Sequence, residues 1–246
     1  ETPPSASAAA AAAELAAAPP PAPRLEYPRK ALALLRSPGF GVATASFVAS
    51  IGCTNVVSAF TAPALARAGL MDGMQIDLAG AGFQLAIVLG GIGLGGLVDR
   101  NKNFKLVILS CLLSSVGLLA ILGVSEGYDA TFTPAVVFAL LFSLGAAAGP
   151  VQPIAAELAV EVSYPCDENA VEATQQLAGN LFSALLVPIC QSAAAYDLQM
   201  PGRAMDIRGD TLVLLALVAA TAVAFSSFDA PLERTRVDDE GAAAEL

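Results

Sequence analysis

The stretch Leu106–Ser125, LVILSCLLSSVGLLAILGVS, runs for 20 residues without a charge, bounded by Lys105 and Glu126. A helix rises about 1.5 Å per residue, so roughly 20 apolar residues cross the ~30 Å hydrocarbon core of a bilayer. A helix buried in a soluble bundle would instead carry a polar face at a period of about 3.6 residues, and this run has none. Five more stretches between consecutive charged residues have comparable length: Ser37–Ala66 (30 residues), Leu78–Val98 (21), Ala130–Ala156 (27), Ala173–Tyr196 (24) and Thr211–Phe228 (18). Together they predict an all-α integral membrane protein with six transmembrane helices over residues 37–228.

Composition agrees. Of the 246 residues 56% are AVILMFWYC and 14% are DEKR, against about 25% charged in soluble domains. Twelve basic and 22 acidic residues leave a net charge of −10, which gives no electrostatic case for a nucleic-acid partner. There is no histidine, so His-based triads and His-ligated zinc are excluded. Without charged groups in the apolar runs, acid–base or metal chemistry has nothing to work with. No catalytic residue, metal or cofactor is expected, and the chain does not read as an enzyme. Cys53, Cys111 and Cys190 fall in apolar runs and Cys166 in a loop, with no C-x-x-C, which is the usage of small buried thiols.

Six spans place both termini and the loops at 99–105 and 157–172 on one side. That side holds Arg24, Arg29, Lys30, Arg36, Arg100, Lys102, Lys105, Arg234 and Arg236, nine of the twelve basic residues. The positive-inside rule makes it cytoplasmic. Residues 1–36 contain the alanine run Ala8–Ala13 and the proline-rich Pro19–Pro23. Such a segment builds no packed core and is expected to be a disordered cytoplasmic linker. It lacks the basic start and apolar core of a secretory signal and the arginines of a transit peptide, which favours the plasma membrane over an organelle envelope. A chain starting at Glu1 rather than Met reads as a processed or excerpted product. Residues 229–246 are polar and expected to form a disordered cytoplasmic tail.

Two loops carry charge patterns. Gly95–Lys105 reads GGLVDRNKNFK, with Asp99 followed by Arg100, Lys102 and Lys105. It is a basic turn between two spans, and it resembles the G-x-L-x-D-R loop that follows the second helix of each six-helix half in the major facilitator superfamily. After the fourth run, Glu157 and Glu161 stand four apart, stacked on one helix face. They are either a solvated acidic cap or the partners of Arg100, Lys102 or Lys105. The second reading makes Asp99, Arg100, Lys102, Lys105, Glu157 and Glu161 a cytoplasmic latch. It predicts an ion pair between that basic set and Glu157 or Glu161.

Polar groups deep in a span are costly and are default functional candidates. Thr54 and Asn55 lie in the first run, and Gln175, Gln176, Asn180 and Gln191 in the fifth. Asn55, Asn180 and Gln176 are the candidate substrate contacts, with interhelical hydrogen bonding as the competing role. Pro63, Pro150, Pro153 and Pro188 each remove a helical hydrogen bond, and Gly145-x-x-x-Gly149 together with Gly90, Gly91, Gly93, Gly95 and Gly96 would let helices approach closely.

The string Glu157–Pro165, ELAVEVSYP, is similar to the region between the tenth and eleventh helices of the feline leukaemia virus subgroup C receptor (FLVCR) family, a branch of the major facilitator superfamily. Leu34–Phe40 (LLRSPGF), the Gly52-Cys53 pair and Leu97–Lys102 (LVDRNK) resemble it too. The resemblance implies half of a major facilitator fold, the C-terminal six helices, built as two inverted three-helix repeats. It implies alternating-access transport of a small organic solute of the choline, ethanolamine or haem type. The partners would be the lipid bilayer, the solute, and a missing N-terminal half or a second copy. Asn55 and Asn180 fall where the family contacts substrate with a tyrosine and a glutamine. A rival reading is a non-transporting six-helix subunit of a larger complex, in which both asparagines are structural.

Overall fold

The structure, a computed structural model, describes positions 9 and 13 and residues 26–67, 72–127, 134–199 and 206–244. In chain order the elements are α1 (Glu26–Leu34), α2 (Phe40–Arg67), α3 (Gly73–Asn101), α4 (Phe104–Gly127), α5 (Pro134–Ala148), α6 (Val151–Ser163), α7 (Glu168–Ala193), β1 (Asp197–Gln199), β2 (Asp206–Arg208), α8 (Gly209–Ser226) and α9 (Glu233–Ala244). Among the described residues five helical stretches are long and apolar enough to cross a membrane: Phe40–Pro63, Gly73–Asn101, Phe104–Gly123, Ala135–Ser163 and Gly209–Ser226. The fifth run also forms a helix, α7, of 26 residues. Gln175, Gln176, Asn180 and Gln191 dilute its apolar character, so it is not among the five.

Local chemistry sets the helix ends. Asp72 accepts from the Met74 N–H at 3.1 Å and starts α3, and Asp167 accepts from the Asn169 N–H at 3.0 Å and starts α7. Lys102 closes α3 in the left-handed region at φ 49°, its N–H donating to the Val98 carbonyl at 2.7 Å. Phe104, 2% exposed, then pins the start of α4. The fourth run is interrupted at Gly149-Pro150, so one predicted span becomes α5 and α6.

α2 is the centre of the bundle and packs against α6, α7 and α8. α3 lies along α5, and α4 along α8. The α3–α5 seam is closed by glycines. A Cβ on Gly145 would sit 2.5 Å from the Phe83 carbonyl oxygen, one on Gly149 2.8 Å from Ile87 Cα, and one on Gly90 2.7 Å from the Ala146 oxygen. The expectation that the whole glycine series of α3 lies against neighbours needs correcting. Gly93, Gly95 and Gly96 face open space, because the seam follows only the stripe that contains Phe83, Ala86 and Gly90.

The ends also depart from expectation. Residues 1–25, apart from positions 9 and 13, lie outside the described residues, but 26–34 of the expected disordered linker form α1, anchored on α7 by the buried Leu34. Of the expected disordered tail, 233–244 form α9, which packs on α6. Both find partners on the bundle that composition does not show. Between α7 and α8 the chain makes a two-stranded antiparallel hairpin, pairing Asp197 with Arg208, Leu198 with Ile207 and Gln199 with Asp206. Arg208 then donates to Asp210 at 3.3 Å and to the Ala194 carbonyl at 3.2 Å, tying the end of α7 to the start of α8.

Candidate functional site

The polar groups of α2 project toward three neighbouring helices. The break at Pro150 directs this geometry. Gln152 N–H bonds back to Gly149 at 3.2 Å rather than to Ala148, and the Ala148 carbonyl accepts instead from the Ser50 hydroxyl at 2.6 Å. Ser50 therefore satisfies a buried backbone oxygen that the kink has released. One turn along α2, the Thr54 hydroxyl donates to the Ser50 carbonyl at 3.0 Å and accepts from Gln152 Nε2 at 3.1 Å. Asn55 Nδ2 donates to Ser183 Oγ on α7 at 3.0 Å. Gln84 Nε2 on α3 donates to Ser58 Oγ, also at 3.0 Å.

Three side-chain bonds thus join α2 to α6, α7 and α3. Every member of this belt is an amide or a hydroxyl, and Asn55, Ser58 and Gln84 are exposed on the bundle surface. Thr54 and Ser183 are buried behind them. Such a belt can exchange its internal hydrogen bonds for bonds to an incoming polar molecule without exposing a charge. Beneath it lies Gln175, fully buried, with Nε2 donating to the Ala155 carbonyl at 3.4 Å. Gln175 Oε1 and the Thr44 hydroxyl find no partner among the described residues.

Of the three expected substrate contacts, Asn55 belongs to the belt. It reaches α7 through Ser183 rather than through Asn180 or Gln176, which lie one turn apart on the exposed side of α7. Gln84, Gln152, Ser50, Ser58 and Ser183 join the belt without being among the residues the sequence marks as candidates. Gln84 carried a usable signal, an amide inside an apolar run. Gln152 was hidden in Pro150-Val151-Gln152-Pro153, where the prolines dominate the reading.

The expected latch is not formed. Among the described residues no ion pair joins Arg100, Lys102 or Lys105 to Glu157 or Glu161. Glu161, 2% exposed, instead accepts from the Thr235 N–H at 3.0 Å and the Thr235 hydroxyl at 2.9 Å. Lys105 donates to the Phe228 carbonyl at 2.6 Å. Each charge thus sits where a helix dipole favours it, an acid at the start of α9 and a base just past the end of α8. Asp99, Arg100 and Lys102 are exposed, and Glu157 is half-buried on α6. The loop between α6 and α7 is held from both flanks, through Lys30–Asp167 at 3.5 Å and Arg234–Glu168 at 3.0 Å. A helix end offers a fixed row of unpaired N–H or C=O groups close by, which outcompetes a mobile lysine across the bundle.

No family model matches the chain. Over 149 residues it is 30% identical to solute carrier family 49 member A3 of Xenopus tropicalis. The chain is similar to a solute carrier. The alignment takes in 60% of this chain but 30% of that protein, so the chain spans well under half of its relative's length. With five helical stretches able to cross a bilayer among the described residues, it is a multi-pass membrane protein.

Proposed function

We propose that the chain is the six-helix C-terminal half of a facilitator-type transporter, moving a small organic solute by alternating access. The observation that carries this reading is the uncharged belt Thr54–Gln152, Asn55–Ser183 and Ser58–Gln84, which joins the central helix to three neighbours. The similarity to a solute carrier favours transport over catalysis. α7 serves as the remaining span, the fifth in order, with Gln176 and Asn180 on its exposed side facing the solute path. The packing supports two inverted three-helix repeats: the first span packs on the fifth as the second packs on the fourth, and the third packs on the sixth. Exchanging the first three spans for the last three leaves that pattern unchanged.

In this reading Asn55, Asn180 and Gln176 contact the solute. By resemblance the solute is of the choline, ethanolamine or haem type, and a missing N-terminal half or a second copy completes the path. The termini lie in the cytoplasm of a plasma-membrane protein. Asp99, Arg100, Lys102, Lys105, Glu157 and Glu161 line the cytoplasmic gate, with Glu161 and Lys105 acting through the C-terminal segment that they hold. Rocking about the Gly149-Pro150 break would move Gln152 against Thr54 and so couple the gate to the belt. Uptake by the full-length protein tests this. Asn55→Ala and Asn180→Ala should each lower it by about two- to tenfold, the worth of a lost hydrogen bond. Unchanged uptake in both sinks the site and favours a non-transporting subunit, in which the belt only holds helices together.

A further inference from the structure

A strongly basic part of an acidic chain lies immediately before its first span. Between residues 24 and 36 stand Arg24, Arg29, Lys30 and Arg36 against Glu26 alone, in a protein of net charge −10. The structure folds 26–34 into α1, and only Leu35–Gly39 separate it from the start of α2. The helical turn continues through that connection, with Arg36 N–H on the Ala33 carbonyl at 3.0 Å and Ser37 N–H on Leu34 at 2.9 Å. α1 is thus held within a turn or two of a bilayer-crossing helix. Leu34 is 1% exposed where α1 packs on α7, and Lys30 is engaged by Asp167 at 3.5 Å.

With about 3.6 residues per turn, Arg29, Leu32 and Arg36 come round to the face opposite Leu34, with Ala33 and Leu35 at its edges. Leu32 is 55% exposed and Leu35 61%, and both arginines are exposed. Two bare leucines framed by two arginines beside the end of a span are poorly matched to water. They suit the headgroup layer, where apolar tips enter the acyl boundary while guanidinium groups reach anionic headgroups.

We infer that α1 lies in the headgroup layer at this end of the bundle and binds anionic lipid through Arg29 and Arg36, with Leu32 and Leu35 dipping into the acyl boundary. The docked α1 would fix the angle at which α2, the helix carrying the polar belt, enters the membrane. The inference needs only the membrane setting and stands whether or not the transport reading holds.

The chain contains no tryptophan, so Leu32→Trp creates a single reporter at an exposed position, and Leu35→Trp a second should the first disturb folding. Each variant of the whole chain is reconstituted into phosphatidylcholine vesicles with and without phosphatidylglycerol, brominated on one lipid class at a time. The expected result is a blue-shifted emission quenched more strongly by the brominated anionic lipid. That preference should weaken about fivefold for each of Arg29→Gln and Arg36→Gln and should fall with added salt. Equal quenching by both lipids would overturn the inference, as would a water-like emission quenched by neither. A blue emission that depends on protein density and escapes both quenchers would assign the face to a second copy, and would overturn it as well.

Discussion

The α3–α5 and α2–α7 seams use the same device and differ in what they add to it. In the first, Gly90, Gly145 and Gly149 bring backbone against backbone, and among the described residues no side-chain hydrogen bond joins the two helices. In the second, Gly52 meets Phe182 and Leu186, and Gly179 meets Phe47 and Ile51, so helix meets side chain. Asn55 then reaches Ser183 one turn further along. Lipid tails are as apolar as leucine, so helices in a bilayer associate through close packing and interhelical hydrogen bonds. One seam relies on closeness alone. The other tolerates a looser fit because an amide bond sets its register, and a bond of that kind can be exchanged for a ligand.

The largest effect should come from filling the close-packed seam. Gly145→Val puts a branched side chain 2.5 Å from the Phe83 carbonyl oxygen, which cannot yield without moving α3. It should cost about 3 kcal/mol, read as a lower midpoint of thermal unfolding in detergent. Gly93→Ala on the same helix meets nothing within 4 Å. It should be neutral or gain up to ~1 kcal/mol from helix propensity. Equal losses in the two variants would break the distinction between seam and surface glycines.

Next should come Ser50→Ala, which leaves the Ala148 oxygen without its 2.6 Å donor at the break between α5 and α6. The expected loss is roughly 1–2 kcal/mol, accompanied by faster hydrogen exchange at the Val151, Gln152 and Ile154 amides. Exchange no faster than in the parent chain would mean that the kink does not depend on Ser50.

The smallest loss among the three interhelical contacts belongs to the exchangeable seam. Asn55→Ala should lose only about 0.6 kcal/mol, the usual worth of one interhelical hydrogen bond in a bilayer. That sharpens the comparison, because the same substitution is expected to reduce uptake. A stability loss as large as that of Gly145→Val would make Asn55 structural glue.

Much of the bundle was legible from charge spacing. The uncharged runs 106–125 and 211–228 correspond to α4, Phe104–Gly127, and α8, Gly209–Ser226, within about two residues at each end. The break in the fourth run was visible as proline, although that it would divide the helix in two was not. The belt was half legible. Asn55 stood out by depth, whereas Ser50, Ser58 and Ser183 are discounted by any rule that lets hydroxyls satisfy themselves on their own helix. Ser46 and Ser115 do bond back in that way, to Val42 at 3.1 Å and Cys111 at 2.8 Å. Nothing local separates the two kinds of serine.

The sequence by itself determined that these helices belong in a membrane and roughly where each begins and ends. The length of an apolar run and the position of a proline are local properties, read from consecutive residues. Only the tertiary structure decided that Glu161 holds Thr235 rather than a lysine, that Lys105 caps Phe228, and that Gln152 meets Thr54. Those pairings depend on the crossing angle and rotation of helices far apart in the chain. Both are set by where glycines let the backbones touch, and several partners of the right chemistry lie within sequence reach of each group.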